Sequence, residues 1–104
     1  MARYTTEYEW TLEPIDEHGD IFDADFSETL APLKQWGDAT ALNPEMTRQD
    51  IALVRTVGNA DEGVVERTWA YVTADGLPAE FEDGHTVPQR FFKEFARNRE
   101  WAMK

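Results

Sequence analysis

Residues 3–13 alternate without a break. Tyr4, Thr6, Tyr8, Trp10 and Leu12 fall on one side of an extended chain, and Arg3, Thr5, Glu7, Glu9, Thr11 and Glu13 fall on the other. Successive side chains of a β-strand point to opposite faces, so this stretch reads as a strand with one face in a core and one in water. Pro14 is expected to end it, because proline has no N–H to give to a ladder. Residues 15–20 then read as a turn or hairpin tip, with Gly19 free to take positive φ.

The same strand opens a long acidic run. Between Arg3 and Lys34 there are nine carboxylates and no Lys or Arg: Glu7, Glu9, Glu13, Asp16, Glu17, Asp20, Asp23, Asp25 and Glu28. Residues 1–50 hold 12 acids and 3 bases, a balance of −9, whereas residues 51–104 hold 9 and 7, a balance of −2. The whole chain carries −11. That charge repels phosphate, so direct binding of nucleic acid or of an anionic membrane surface is disfavoured. It suits a protein partner with a basic surface.

At 104 residues the chain is long enough for one domain with a real core, and its aromatic residues are spread along the whole length. It contains no cysteine, which excludes disulfides, thiolate nucleophiles and cysteine-based metal sites. That fits a reducing cytoplasm. The first residues lack the apolar run of a signal peptide, and no stretch approaches the roughly 20 apolar residues of a membrane span. A cytoplasmic location is expected.

Further along, Asp25-Phe26-Ser27-Glu28 has the spacing of a helix capping box, and Phe26, Leu30 and Leu33 share a helical face. A short first helix is expected there, kinked or split at Pro32 and closed by Gly37. Residues 38–49 read as a loop. Residues 50–57 and 64–73 read as strands joined by a hairpin loop at 58–63, with a short edge segment near 79–82. The last element is the clearest helix. Thr86-Val87-Pro88-Gln89 looks like its start, and Phe91, Phe92, Phe95, Ala96, Ala102 and Met103 lie on one arc that also takes in Arg99. The fold class is therefore α+β: an antiparallel sheet of three or four strands with the C-terminal helix packed on one face.

No motif names a reaction. There is no Gly-rich phosphate loop and no HExxH, and the only serine, Ser27, is explained by its place in the first helix's opening turn. The EF-hand pattern fails for want of its glycine and its closing glutamate. His18 and His85 sit in acidic turns and read as exposed loop residues. No metal, cofactor or catalytic residue is assigned. Much of the acidic run has local explanations, in strand alternation or helix starts. Asp16, Glu17, Asp20 and Asp23 around the turn at Gly19 are the best candidates for a functional acidic surface. Arg90, Lys93, Arg97 and Lys104 form a basic stripe opposite the apolar arc of the last helix. Trp36 and Trp101 lie off the main apolar arcs and are candidate interface anchors, in a homodimer or with another protein.

These readings favour a non-enzymatic interaction protein that offers carboxylates to a basic partner. One alternative is a ligand-binding protein or enzyme with a pocket between sheet and C-terminal helix, anchored by a buried Arg99, with the separate stripe of Arg90, Lys93 and Arg97 as a candidate site for a small anion or a partner. Another is a nucleic-acid mimic from a phage or mobile element, because alternate strand residues lie about 6.6 Å apart, near the axial span of two phosphates.

Overall fold

The computed structural model describes residues 3–103. Its centre is a four-stranded antiparallel sheet in the order β2-β1-β3-β4. Strand β1 is Thr5–Ile15, β2 is Asp25–Ser27, β3 is Arg48–Asn59 and β4 is Gly63–Tyr71. Helix α1 is Leu30–Thr40, α2 is Gln89–Arg97 and α3 is Arg99–Ala102. This is the α+β arrangement that the alternation and the last helix predict.

Register decides which face is inside. Trp10 lies opposite Leu53 and Leu12 opposite Ile51, and Leu53 lies opposite Ala70 on the next strand. These residues share one face and form a buried cluster with Leu30 and Leu33 of α1 and Phe91 and Phe95 of α2. Phe91 meets Trp10 edge-on with ring centroids 6.0 Å apart, and it meets Tyr8 at 5.2 Å. Trp101 and Ala102 of α3 pack against the same cluster. All three helices therefore lie on one side of the sheet.

Pro14 does not end β1. Ile15 C=O accepts from Thr47 N–H at 2.8 Å, on the β3 side, whereas Pro14 C=O accepts from Phe22 N–H at 3.3 Å, on the other side. A residue's N–H and C=O point the same way in an antiparallel strand, so the donor that Pro14 lacks is not one the β3 ladder needs.

The first helix starts later than its capping signals suggest. Asp25–Ser27 forms β2, pairing Trp10 with Ser27, Thr11 with Phe26 and Leu12 with Asp25. Phe26 is consequently 51% exposed on the sheet rather than buried on a helix. Helix α1 begins at Leu30, with Thr29 as an N-cap whose own side chain makes no capping bond. The cap comes from α2: Glu94 Oε2 accepts from Leu30 N–H at 2.7 Å, and its Oε1 accepts from the Trp10 indole at 2.8 Å. One carboxylate thus meets the positive end of α1 and the buried tryptophan. Pro32 is the third residue of α1, among the four whose N–H groups have no intrahelical acceptor, so no bond is lost there.

Gly37 lies inside α1 rather than closing it. A Cβ at this position would sit 2.7 Å from Leu12 Cδ2 and 3.1 Å from Gln49 Oε1, so glycine lets the helix press against β1 and β3. The other boundaries move by a few residues. The β3–β4 turn tightens to residues 60–62, where Asn59 Oδ1 accepts from Asp61 N–H and Glu62 N–H. The segment near 79–82 makes a Glu80–Thr86 bridge and a bond from Glu82 N–H to Trp69 C=O, not a strand. The last helix breaks at Asn98 and caps on Pro88, with no side-chain bond from Thr86.

Candidate functional site

The face of the sheet turned away from the helices carries the chemistry. Parity places Glu7, Glu9, Thr11 and Glu13 of β1 there. Across the ladder they meet Thr56, Val54, Ala52 and Asp50 of β3, and beyond those Arg67, Trp69 and Tyr71 of β4. Phe26 of β2 pairs with Thr11 on the other flank. Four carboxylates and three aromatics thus share a face with two arginines, Arg67 and Arg48, and Arg48 Nε donates to Asp50 Oδ1 at 3.2 Å. Trp69 and Tyr71 are only half-buried and lie outside the buried cluster.

One carboxylate of this face is withdrawn from solvent. Glu13 is only 8% exposed, not the open strand residue that alternation predicts. Ala52 stands between Tyr71 and β1, and its small side chain leaves room for the tyrosine to reach across β3. Tyr71 Oη donates to Glu13 Oε1 at 2.8 Å. Burial pushes the Tyr71 hydroxyl well above the usual phenol value, and the bond to Glu13 and the charges of Glu13, Glu82 and Asp50 push it further. Thr11, wholly buried beside Glu13, keeps a hydroxyl with no hydrogen-bond partner, alone among the buried side-chain polar atoms of the described residues.

The acidic turn is built differently. Asp16 Oδ1 accepts from His18 N–H at 2.9 Å and from Asp20 N–H at 3.0 Å, so this carboxylate holds the turn together. Gly19 takes φ +82° there. Asp23 Oδ1 accepts from its neighbour Ala24 N–H. Glu17 and Asp20 are exposed. Asp16 and Glu17 line a cleft of about 450 Å³ together with His18, Pro44, Glu45 and Thr47. The structure gathers these acids at the turn, and it gives Asp16 the local role that sequence alone does not assign.

The basic residues do not converge on a buried pocket. Arg99 is exposed, at the start of α3 beyond the break at Asn98, with its guanidinium over the Phe95 ring at 5.8 Å. The buried anchor that the apolar arc suggests is absent at this residue. Arg90, Lys93 and Arg97 are also exposed, and Arg90 lies over the rings of Phe91 and Tyr8 at 4.7 and 5.5 Å. Lys104, the last of the stripe, lies outside the described residues. Trp36 and Trp101 are half-buried and packed on the core, and the Trp101 indole donates to Asp38 Oδ1 at 3.2 Å.

A fourth grouping joins Glu66, Asp83 and His85, whose ligand-type atoms lie within 4.8 Å of one another. His85 Nδ1 stands 2.8 Å from Asp83 Oδ2, and Arg55 donates to Glu66 at 3.1 Å. Burial alone would raise the Asp83 carboxyl, but two hydrogen bonds from His85 and the charges of His85 and Arg55 hold it below its ordinary value. Arg55 already supplies the positive charge that a metal would bring, so the trio reads as an ion-pair network.

No protein-family model, curated protein or solved structure matches the chain.

Sequence reading misses Phe26, Trp69 and Tyr71 as members of an exposed face. The signal lies in β4, where large Trp69 and Tyr71 alternate with small Thr68 and Ala70. Which pair faces inward depends on register against Leu53, and that is not a local property. Glu94 is missed too, although a carboxylate beside the Phe91–Phe95 arc is the kind of residue that needs donors.

Proposed function

We propose that the protein is a non-enzymatic binding protein that presents the open sheet face to a basic protein partner. The observation that carries this reading is a helix-free face that holds Glu7, Glu9 and Asp50 together with Trp69, Tyr71 and Phe26. Carboxylates select lysine and arginine, and aromatic faces hold the same cations through the ring quadrupole and their apolar stems through contact. Aromatic residues also anchor interfaces, and complementary charge speeds and orients encounter. The acidic turn at residues 16–23 extends the negative field beyond the sheet and steers the partner at longer range.

Binding of this kind weakens as salt rises, because exposed charges are screened. The test is calorimetric titration with a folded lysine-rich protein at low and high ionic strength. The double variant Glu7→Gln, Glu9→Gln is expected to weaken binding about tenfold or more at low salt, in line with loss of a few charge contacts. Equal binding by the wild type and the double variant would remove the open face as the site.

A further inference from the structure

We infer that the free edge of β1 at Thr6 and Tyr8 accepts an extended basic segment of the partner as an added antiparallel strand. This rests on the proposed binding function and gives it a mode of recognition.

Strand parity identifies the free groups. Pro14 turns its carbonyl away from β3, so the even-numbered residues of β1 address the β2 side. Trp10 and Leu12 are met there by Ser27 and Asp25, but β2 ends at Ser27 and the chain turns away into α1. Thr6 and Tyr8 are left with two N–H and two C=O groups that have no strand partner on that side among the described residues. A groove of about 500 Å³ runs beside them, lined by Thr6, Glu7, Tyr8, Glu9, Glu28 and Arg90. Unpaired edge groups beside an open groove are the requirement for strand addition.

Charge selects the occupant. A strand laid against this edge places its residues opposite Glu7 and Glu9 on the carboxylate face, where lysine or arginine forms favourable cross-strand pairs. A second copy of β1 paired about Tyr8 would set Glu7 against Glu9 and Glu9 against Glu7, and directly opposed like charges are destabilising. The same carboxylates therefore discourage self-pairing and favour a basic strand.

The probe is a capped nine-residue peptide of alternating Lys and Val, with two isomers N-methylated on either the Lys or the Val amides. Charge is identical in all three, but only one set of amides can face β1. One isomer is expected to lose at least about tenfold in affinity, as two backbone bonds are removed, while the other binds like the parent. The Thr6 and Tyr8 amides are expected to exchange more slowly with solvent when the parent is bound. The variant Thr6→Pro removes an outward donor without touching the β3 ladder. It is expected to keep the wild-type circular dichroism and to bind the parent peptide more weakly. Equal binding by both isomers, unchanged binding by Thr6→Pro, or no binding of the parent overturns the inference. Continued salt-sensitive binding of a folded lysine-rich protein would then leave the broader function standing, and its loss in Glu7→Gln, Glu9→Gln reports on that function separately.

Discussion

Strand β1 shows two surfaces that differ by one step along the chain. Trp10 and Leu12 have no exposed surface on the helix side, where Phe91, Leu30 and Leu33 close over them. Glu7 and Glu9 stand on the other side, where no helix packs. The first surface is held by close packing, with a glycine in α1 to let it form. The second is held by the ladder and, at one end, by the Tyr71–Glu13 bond, and the side chains of Glu7 and Glu9 are free to serve contact. The difference implies that substitutions on the two surfaces have separable effects, on folding for one and on binding for the other.

The largest contrast is between two aromatics at neighbouring positions of the sheet. Trp10→Ala should destabilise the fold by about 3–5 kcal/mol, the usual range for emptying a buried aromatic site. Phe26→Ala, on the open face, should change stability by no more than about 0.5 kcal/mol. Urea unfolding of the two variants measures both, and comparable losses would erase the distinction between faces.

Glu94→Ala comes next. It leaves the Trp10 indole and the Leu30 amide without their acceptor, so a loss of about 2–3 kcal/mol is expected. Glu94→Gln should recover only part of this, because an amide offers one oxygen to two donors. Thermal unfolding should place it between wild type and Glu94→Ala.

Gly37→Ala sets two effects against each other. Alanine gains about 1 kcal/mol in helix propensity, but its Cβ would lie 2.7 Å from Leu12 Cδ2. Overpacking of this kind costs about 1–3 kcal/mol, so a net loss of about 1 kcal/mol is expected. A more stable variant would show that α1 sits less tightly on the sheet than the distances imply.

Tyr71→Phe probes the hydrogen-bonded Tyr71–Glu13 pair of the open face. Loss of the donor to Glu13 should cost about 1 kcal/mol near neutral pH. The wild-type Tyr71 hydroxyl is raised above its unfolded value. Its contribution is fully present below that unfolded value, near pH 10, and fades as pH climbs toward the higher folded value. The phenylalanine variant should therefore lose less stability than wild type above about pH 10. Parallel pH–stability curves would contradict the coupling of Tyr71 to folding. The smallest change is expected for Glu7→Gln, Glu9→Gln, with stability within about 0.5 kcal/mol of wild type.

Much of the fold is legible along the chain because its signals are local. Alternation gives β1, the residues at 58–63 give the β3–β4 hairpin, and Phe91 with Phe95 gives the inner face of α2. The start of α1 is not legible, since Asp25-Phe26-Ser27-Glu28 meets the spacing of a cap and also suits a short strand. Pairing with Trp10, Thr11 and Leu12 decides between them, and that contact joins residues well beyond the reach of a local pattern. The candidate site divides in the same way. Glu7 and Glu9 can be read as an outward strand face, but their neighbours Trp69 and Tyr71 come from a register set through β3. Glu13 looks as open as Glu7 until Tyr71 is placed beside it.

The most direct test is to map where a basic ligand settles. Titration of the isotope-labelled protein with the capped Lys–Val peptide, followed by amide chemical shifts, distinguishes the open face from the acidic turn. Shifts concentrated at Thr6 through Glu9, with little change at Asp16, Glu17 and Asp20, are the expected result. Shifts centred on the turn, with β1 unmoved, would contradict the assignment of binding to the open face.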